Sequence, residues 1–510
     1  MRHSDWFGKI LKNAGENSVA QSDRGAQIGL YRFYRGKLFI LPLGQIILER
    51  ISHLFEGAWS FLPSLKLPAA GSRLDWAAVL AGEIKSYTEL PVWIKVLGGR
   101  NWFSEGKNID LQKQDLTERY ACVDKNKIVE EAGKWRKGVN DLLSTLELQN
   151  VHLSDTPEQL EWFLEDRNGL TRRLNCSKCS WLGRGEYHPV NFKPDITEAD
   201  PGLSITLIET PGVTTIEDLA SFVGATAQNT IKSVFLETDE GVLIQTLIRG
   251  DRDVSKEKVG KLLGIHGVKV ASTQSLQRIG VPAGYAGPVL NNEFHTDKTL
   301  IDQSITTKKN YIAGANKEGW HLSNIRPGRD FDISPQGDIS TAVEDDTCAF
   351  CGGRLENSLG RVLASWSSYM NLFSLSGREG KRIQIGLGMG TLEMEEILNV
   401  LAEQCARKNQ MHWPVGITPF NVYLISIRED DAAEKLYRDL TQAGVTIFYD
   451  NRDVNPGVKF NDSDLMGCRY RITVSSRSIK NGGAEILSLR KNQEQILSMD
   501  KIVDWICLGK

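Results

Sequence analysis

Val445-Thr-Ile-Phe-Tyr-Asp-Asn-Arg-Asp-Val-Asn-Pro-Gly-Val-Lys-Phe460 begins as an apolar run and ends in a charged turn. Val445–Tyr449 is expected to be a strand. Before it, Val422–Ile427 is a continuous apolar stretch of buried-strand length, and Ala433, Leu436, Leu440 and Ala443 recur at helical spacing up to Gly444. After it, Ile472–Ser475 is another strand. Strand–helix–strand at these lengths requires right-handed parallel crossovers, and so predicts a small α/β domain over 412–510.

The same periodicities extend toward the N-terminus. Ile128, Ala132, Trp135, Val139, Leu142 and Leu146 put an apolar stripe on one helix face. Leu203–Glu209 alternates like a strand, and Thr214-Thr-Ile-Glu217 reads as a capping box opening a helix with Leu219, Phe222 and Val223. Val234–Leu236 and Val242–Ile248 are further strands, which makes this stretch an α+β unit expected to fold by itself. Gly386-Leu-Gly-Met-Gly390 lies between a strand-like Arg382–Ile385 and a helix through Ile397, Leu398 and Leu401. A dinucleotide fingerprint would need a ribose-binding acid and a βαβ unit, neither of which follows. The glycines are better read as sites of close packing.

The whole chain has 510 residues, Lys+Arg 61 against Asp+Glu 64, and a net charge of −3. Its charged and apolar fractions, 25% and 41%, exclude a disordered chain, a fibre and a disulfide mini-protein. No apolar run has the length of a membrane span and no signal-peptide core opens the chain, so a cytoplasmic protein is expected. Walker-type and His-Glu-x-x-His motifs are absent. Near-neutral charge does not identify a partner.

Cys122, Cys405, Cys468 and Cys507 stand singly and read as small buried hydrophobes or free thiols. Cys176-Ser-Lys-Cys179 and Cys348-Ala-Phe-Cys351 form two pairs. Each spacing lets two thiolates reach one ion, and Gly352-Gly353 permits a tight turn that aims amides at sulfur. Far more chain separates the pairs than a zinc ribbon uses. Either they staple the neck of an inserted domain around zinc, or they are two independent reduced pairs.

The run Trp413-Pro-Val-Gly-Ile-Thr-Pro-Phe-Asn-Val422, followed by Asp450-x-Arg-Asp-x-x-Pro-Gly-x-Lys-Phe460 and Asp464-Leu-Met-Gly467, resembles the anticodon-binding domain of class II aminoacyl-tRNA synthetases. Its wording is that of the bacterial type of prolyl-tRNA synthetase. Ile40-Leu-Pro-Leu-Gly44 is similar to the first class II motif, and Glu83–Pro91 to the segment before the second. Thr210-Pro-Gly-Val213, Arg249-Gly-Asp251, Gly284-Tyr-Ala-Gly-Pro288 and Ala313-Gly-Ala-Asn316 are similar to the family's YbaK-like editing insertion. The resemblance implies a multidomain protein, α/β and α+β. A class II antiparallel sheet domain would occupy 1–175 and resume at 352–411. An insertion would span 176–351, with its editing core at about 200–330, and the anticodon-binding-like α/β domain 412–510.

It also implies tRNA as partner, ATP with Mg²⁺ as cosubstrate, and a homodimer built on the first motif, which here is shortened after Gly44. In the editing domain, which hydrolyses alanine mischarged on proline tRNA, Lys232, Gly284, Pro288, Asp302 and His321 fall on functional positions. Lys232 would contact the tRNA terminus, and the Gly284–Pro288 loop would present backbone donors. His266 matches nothing functional. Arg452 and Lys459 fall where anticodon bases are read, with Asp450 and Asp453 either joining them or knitting the loop internally.

The synthetic site departs from the pattern. Glu393 stands where the third motif carries its ATP-binding arginine, which puts repulsion where phosphate needs a counter-charge. Gly71-Ser-Arg-Leu74 replaces the loop that holds the proline ammonium, with Asp75 the nearest acid. Of the second motif, Gly98–Glu105, Arg100 alone resembles an ATP ligand. The expectation is therefore a divergent paralogue with a degenerate ligase site and a retained deacylase. A working proline–tRNA ligase and a non-enzymatic scaffold are the rivals.

Overall fold

The computed structural model describes residues 30–34, 37–58, 65–68, 93–97, 117–122, 125–156, 159–167, 169–192, 202–238, 240–265, 267–282, 284–289, 296–307, 309–376, 382–407 and 410–508. Arg100, the segments 71–75, 83–91 and 98–105, and His266 lie outside them. The chain divides into two units: 1–151 with 158–164 and 362–510, and 152–157 with 165–361.

The first unit is built on a sheet in the order Leu65–Pro68, Trp93–Leu97, Thr117–Cys122, Arg382–Glu393, 364–376, Gln159–Glu165. The first two strands are parallel, whereas Trp93–Leu97, Thr117–Cys122, Arg382–Glu393 and 364–376 pair antiparallel. Helices Pro42–Ala58, Ile128–Thr145 and Met394–Gln404 supply apolar faces to its core. In the stripe from Ile128 to Leu146 every member is buried except half-buried Ala132. Trp135 meets Phe55 edge-on at 4.9 Å and lies 6.0 Å from Trp366. Side chains of this size each contribute about 2–3 kcal/mol by leaving water.

The glycine run lies inside the strand Arg382–Glu393, not in a strand-to-helix loop. A Cβ on Gly388 would overlap the Trp366 ring, and one on Gly390 the Trp135 ring. The glycines are where two indoles come too close to the backbone to leave room for a Cβ.

The C-terminal sheet runs Ile447–Asp450, Val422–Ile427, Tyr470–Ser475, Ala484–Ser488, Gln493–Leu497. The first three strands are parallel, as the crossover rule requires, and the last two add antiparallel. One face packs Leu436 and Leu440 of the helix Asp430–Gln442. From the other, Tyr423, Ile425 and Phe448 join the cluster that contains Trp135 and Trp366. The C-terminal domain therefore shares a core with the sheet domain of its unit.

In the second unit, a mixed sheet runs Lys269–Val270, Ile231–Glu237, Leu243–Arg249, Lys298–Asp302, Gln336–Gly337. A three-stranded antiparallel sheet, Thr206–Glu209, Trp320–Ile325, Tyr311–Gly314, lies in the same unit. The strand expected from Leu203 begins at Thr206, where its pairing begins. The capping residue is one position later than the motif suggests. Thr215, not Thr214, accepts from the Asp218 amide at 3.1 Å, its own hydroxyl donates to the Asp218 carboxylate at 2.8 Å, and the helix is Ile216–Val223. Either threonine can cap; the extended backbone at Thr215 selects it. Leu219 is buried in this helix while Phe222 is exposed.

Candidate functional sites

Editing-like residues gather around the hairpin Tyr311–Gly314/Trp320–Ile325. His321 pairs with Gly314 on one side and Ile208 on the other. Its ring is buried, with Nδ1 2.7 Å from the Thr210 hydroxyl and the Tyr285 ring 5.4 Å away. Burial lowers its pKa to about 4, so the imidazole is neutral at physiological pH.

The Gly284–Pro288 loop lies directly on Gly314, where a Cβ would strike the Tyr285 and Ala286 carbonyls. Gly284 has φ +83°, a conformation open to glycine. Asn316 locks the loop: its Oδ1 accepts from the Gly287 amide at 2.8 Å, its Nδ2 donates to Val289 O at 2.7 Å, and its own amide donates to Tyr285 O at 2.9 Å. The Tyr285 amide donates to Pro282 O. Among the described residues, the amides of Gly284 and Ala286 have no acceptor.

Lys232 lies on the neighbouring strand Ile231–Glu237, and its Nζ donates to exposed Asp253 at 2.8 Å. Asp302 is placed differently from a substrate contact. It is fully buried, and its two oxygens accept the amides of Ser304 at 2.9 Å and Ile339 at 3.0 Å. It ties the end of its strand to the returning chain. Thr210 and Asn316 are the members that residue-by-residue reading did not single out. Both lie in motifs that carried the resemblance, which was the available signal.

The four paired cysteines converge within the second unit, all four sulfurs within 4.8 Å of one another. The nearest approaches cross between pairs: Cys176–Cys351 at 3.4 Å and Cys179–Cys348 at 3.9 Å. The amides of Lys178 and Cys179 point at the Cys176 sulfur, and that of Gly353 at Cys351. Burial works to raise the Cys176 thiol, but the Cys179 and Lys178 amides and the neighbouring sulfurs bring it down to about 6. For Cys179 the Trp181 amide is outweighed by burial and adjacent sulfur, and the thiol rises to about 12. One thiolate forms readily and opposes the next, a repulsion that a divalent cation relieves. The donor set fits a tetrahedral four-thiolate metal site. Of the single cysteines, Cys405 and Cys468 are buried and free, Cys507 is half-buried and free, and burial raises the thiols of the first two.

The charged turn of the C-terminal domain is knitted inward. Arg452 donates to both Asp450 oxygens at 2.8 and 2.7 Å and to Asp462 at 2.6 Å, while the Tyr423 hydroxyl donates to Asp450 at 2.9 Å. Burial works against the Asp450 charge, but Arg452 holds its carboxyl below the ordinary aspartate value. Lys459 is buried, its Nζ donating to the Ser426 and Asp450 carbonyls at 2.9 and 3.2 Å, and desolvation lowers its pKa. Both cations are therefore turned toward the protein, and within 451–455 the exposed positions are Asn451, Asp453, Val454 and Asn455. Glu393 closes the strand Arg382–Glu393 opposite Thr117 and precedes the helix Met394–Gln404.

Two family matches fall on these regions: the aminoacyl-tRNA editing domain over residues 210–331 and the anticodon binding domain over 421–507. Proline–tRNA ligase of Dehalococcoides mccartyi strain 195 is 31% identical over 357 residues, covering 68% of this chain and 61% of that protein. Proline–tRNA ligase of Syntrophus aciditrophicus is 32% identical over 362 residues, covering 67% and 61%. The chain thus spans about 61% of the length of these curated relatives. A crystal structure of prolyl-tRNA synthetase from Cryptosporidium parvum, complexed with L-proline and AMP, aligns at 10% identity and TM-score 0.46, over 95% of this chain and 76% of that one.

Proposed function

We propose that this prolyl-tRNA synthetase-like chain, with its aminoacyl-tRNA editing and anticodon-binding domains, binds proline-type tRNA and hydrolyses mischarged aminoacyl esters on it, without ligase activity of its own. What carries the reading is the Gly284–Pro288 loop, seated on Gly314 and pinned by Asn316 with the Gly284 and Ala286 amides left to donate. Water attacks the ester carbonyl, the carbonyl oxygen becomes an oxyanion that such amides stabilise, and the ester C–O bond breaks. The proton lost by the water ends on the tRNA hydroxyl. Lys232, held near the surface by Asp253, contributes a cation for the tRNA terminus. Neutral His321, hydrogen-bonded to Thr210, backs the loop and restricts the size of the side chain that fits beside it. Asp302 positions its strand.

In the C-terminal domain, anticodon reading falls to the exposed positions 451 and 453–455, whose turn inward-facing Arg452 and Lys459 hold in place. The cysteine cluster is assigned to zinc, which when bound supplies a structural crosslink. A cytoplasmic homodimer completes the reading, tested by cell fractionation and by light scattering.

Purified protein given alanine-charged proline tRNA should release alanine, and Lys232→Ala should slow release at least tenfold. Equal rates for the two proteins overturn the role of Lys232, and no release by wild type overturns the deacylase. The relatives' name favours the second reading, a working ligase. Proline-dependent pyrophosphate exchange should be absent, and robust exchange would establish that rival.

A further inference from the structure

At the N-terminal end of the strand Tyr470–Ser475, opposite the Asp450–Arg452 turn, lies a cleft of about 280 Å³ that neither deacylation nor anticodon reading uses. Its walls are the segment 411–418 and the turns 467–470 and 488–491. The two turns are tied by the Leu489 amide donating to Arg469 O at 3.2 Å.

The floor is apolar and rigid. Met411, Trp413 and Leu489 are buried, and the Trp413 indole donates to Met466 O at 2.9 Å, which fixes the ring. The rim is cationic. Arg490 is fixed by Glu147 through contacts of 2.7 and 3.0 Å, while Arg469 lies over the Tyr470 ring at 5.2 Å. Lys491 is exposed, and among the described residues neither Arg469 nor Lys491 has an acidic partner.

An apolar floor beneath unneutralised cations suits a ligand that is flat and uncharged at one end and anionic at the other. The volume falls just below the ~300 Å³ at which sites for drug-sized ligands begin, so it admits one ring system with its substituent. We propose that this cleft binds a single nucleoside phosphate, with its base on the Met411–Trp413–Leu489 floor and its phosphate between Arg469 and Lys491. Such a unit comes either from a free nucleotide or from one unstacked residue of an RNA strand.

Calorimetry on the full chain tests this with uridine 5′-monophosphate, uridine, inorganic phosphate and a short single-stranded oligouridylate. A pyrimidine probe avoids any adenylate pocket elsewhere in the chain. Uridine monophosphate should bind saturably at one site, at least tenfold more tightly than uridine or phosphate alone. Arg469→Glu and Lys491→Glu, both outside the core, should each weaken it at least tenfold while circular dichroism stays unchanged. Tighter binding of the oligouridylate than of the monophosphate identifies RNA as the source, and equal binding identifies the free nucleotide. The proposal is overturned by no saturable binding, by affinity unchanged in both variants, or by phosphate binding as well as the nucleotide. Loss of deacylation with nucleotide binding intact would instead count against the editing reading alone.

Discussion

Asp450 shows how one residue links charge, burial and pH dependence. It is fully buried, yet Arg452 and Tyr423 together satisfy both of its oxygens. Asp450→Ala leaves a buried guanidinium with half its partners and should cost about 3–5 kcal/mol, read from urea unfolding. Because the folded carboxyl titrates below its unfolded value, its contribution is complete above about pH 4. As pH falls further the unfolded chain takes the proton first, so this contribution is lost through the folded pKa. His321 behaves alike on a higher scale. Its folded value of about 4 against an ordinary 6.5 means stability is lost as pH drops between the two, and its ring resonances should titrate near pH 4. Thr210→Val removes the hydroxyl partner of a buried imidazole nitrogen and should destabilise by roughly 1–3 kcal/mol.

At the level of elements, position within the backbone decides which of two similar residues matters. Thr215→Ala should cost about 1 kcal/mol by removing the cap of Ile216–Val223, whereas Thr214→Ala should change the melting temperature much less. The strand Arg382–Glu393 makes the opposite kind of prediction, since there the absence of a side chain is what counts. Gly390→Ala drives a methyl into the Trp135 ring and should cost about 1–3 kcal/mol in thermal unfolding. The helix Ile128–Thr145 and the parallel strands Val422–Ile427 and Tyr470–Ser475 were readable because periods of 3.6 and runs of buried β-branched residues are local signals. The glycine run was harder. The missing ribose-binding acid and βαβ unit favoured close packing over a phosphate loop, but only the tertiary structure shows that what packs there is two indoles from elsewhere in the chain.

For the molecule as a whole, the cysteine cluster joins two segments of the second unit that are about 170 residues apart in the chain. Purified protein should carry about one zinc per chain, and a strong chelator should lower the melting transition that reports the second unit. Cys176→Ser should do the same without chelator. By itself the sequence determined several helices and strands, the two cysteine pairs and the motifs within about 200–330 and 412–510, since each depends on residues a few positions apart. Tertiary structure alone decided that Arg452 and Lys459 turn inward and that Thr210 meets His321 across 111 positions. It also decided that the C-terminal sheet shares a core with Trp135. The direction in which a long charged side chain points, and the partner a buried hydroxyl finds, are set by what packs around them, and local spacing carries no record of that.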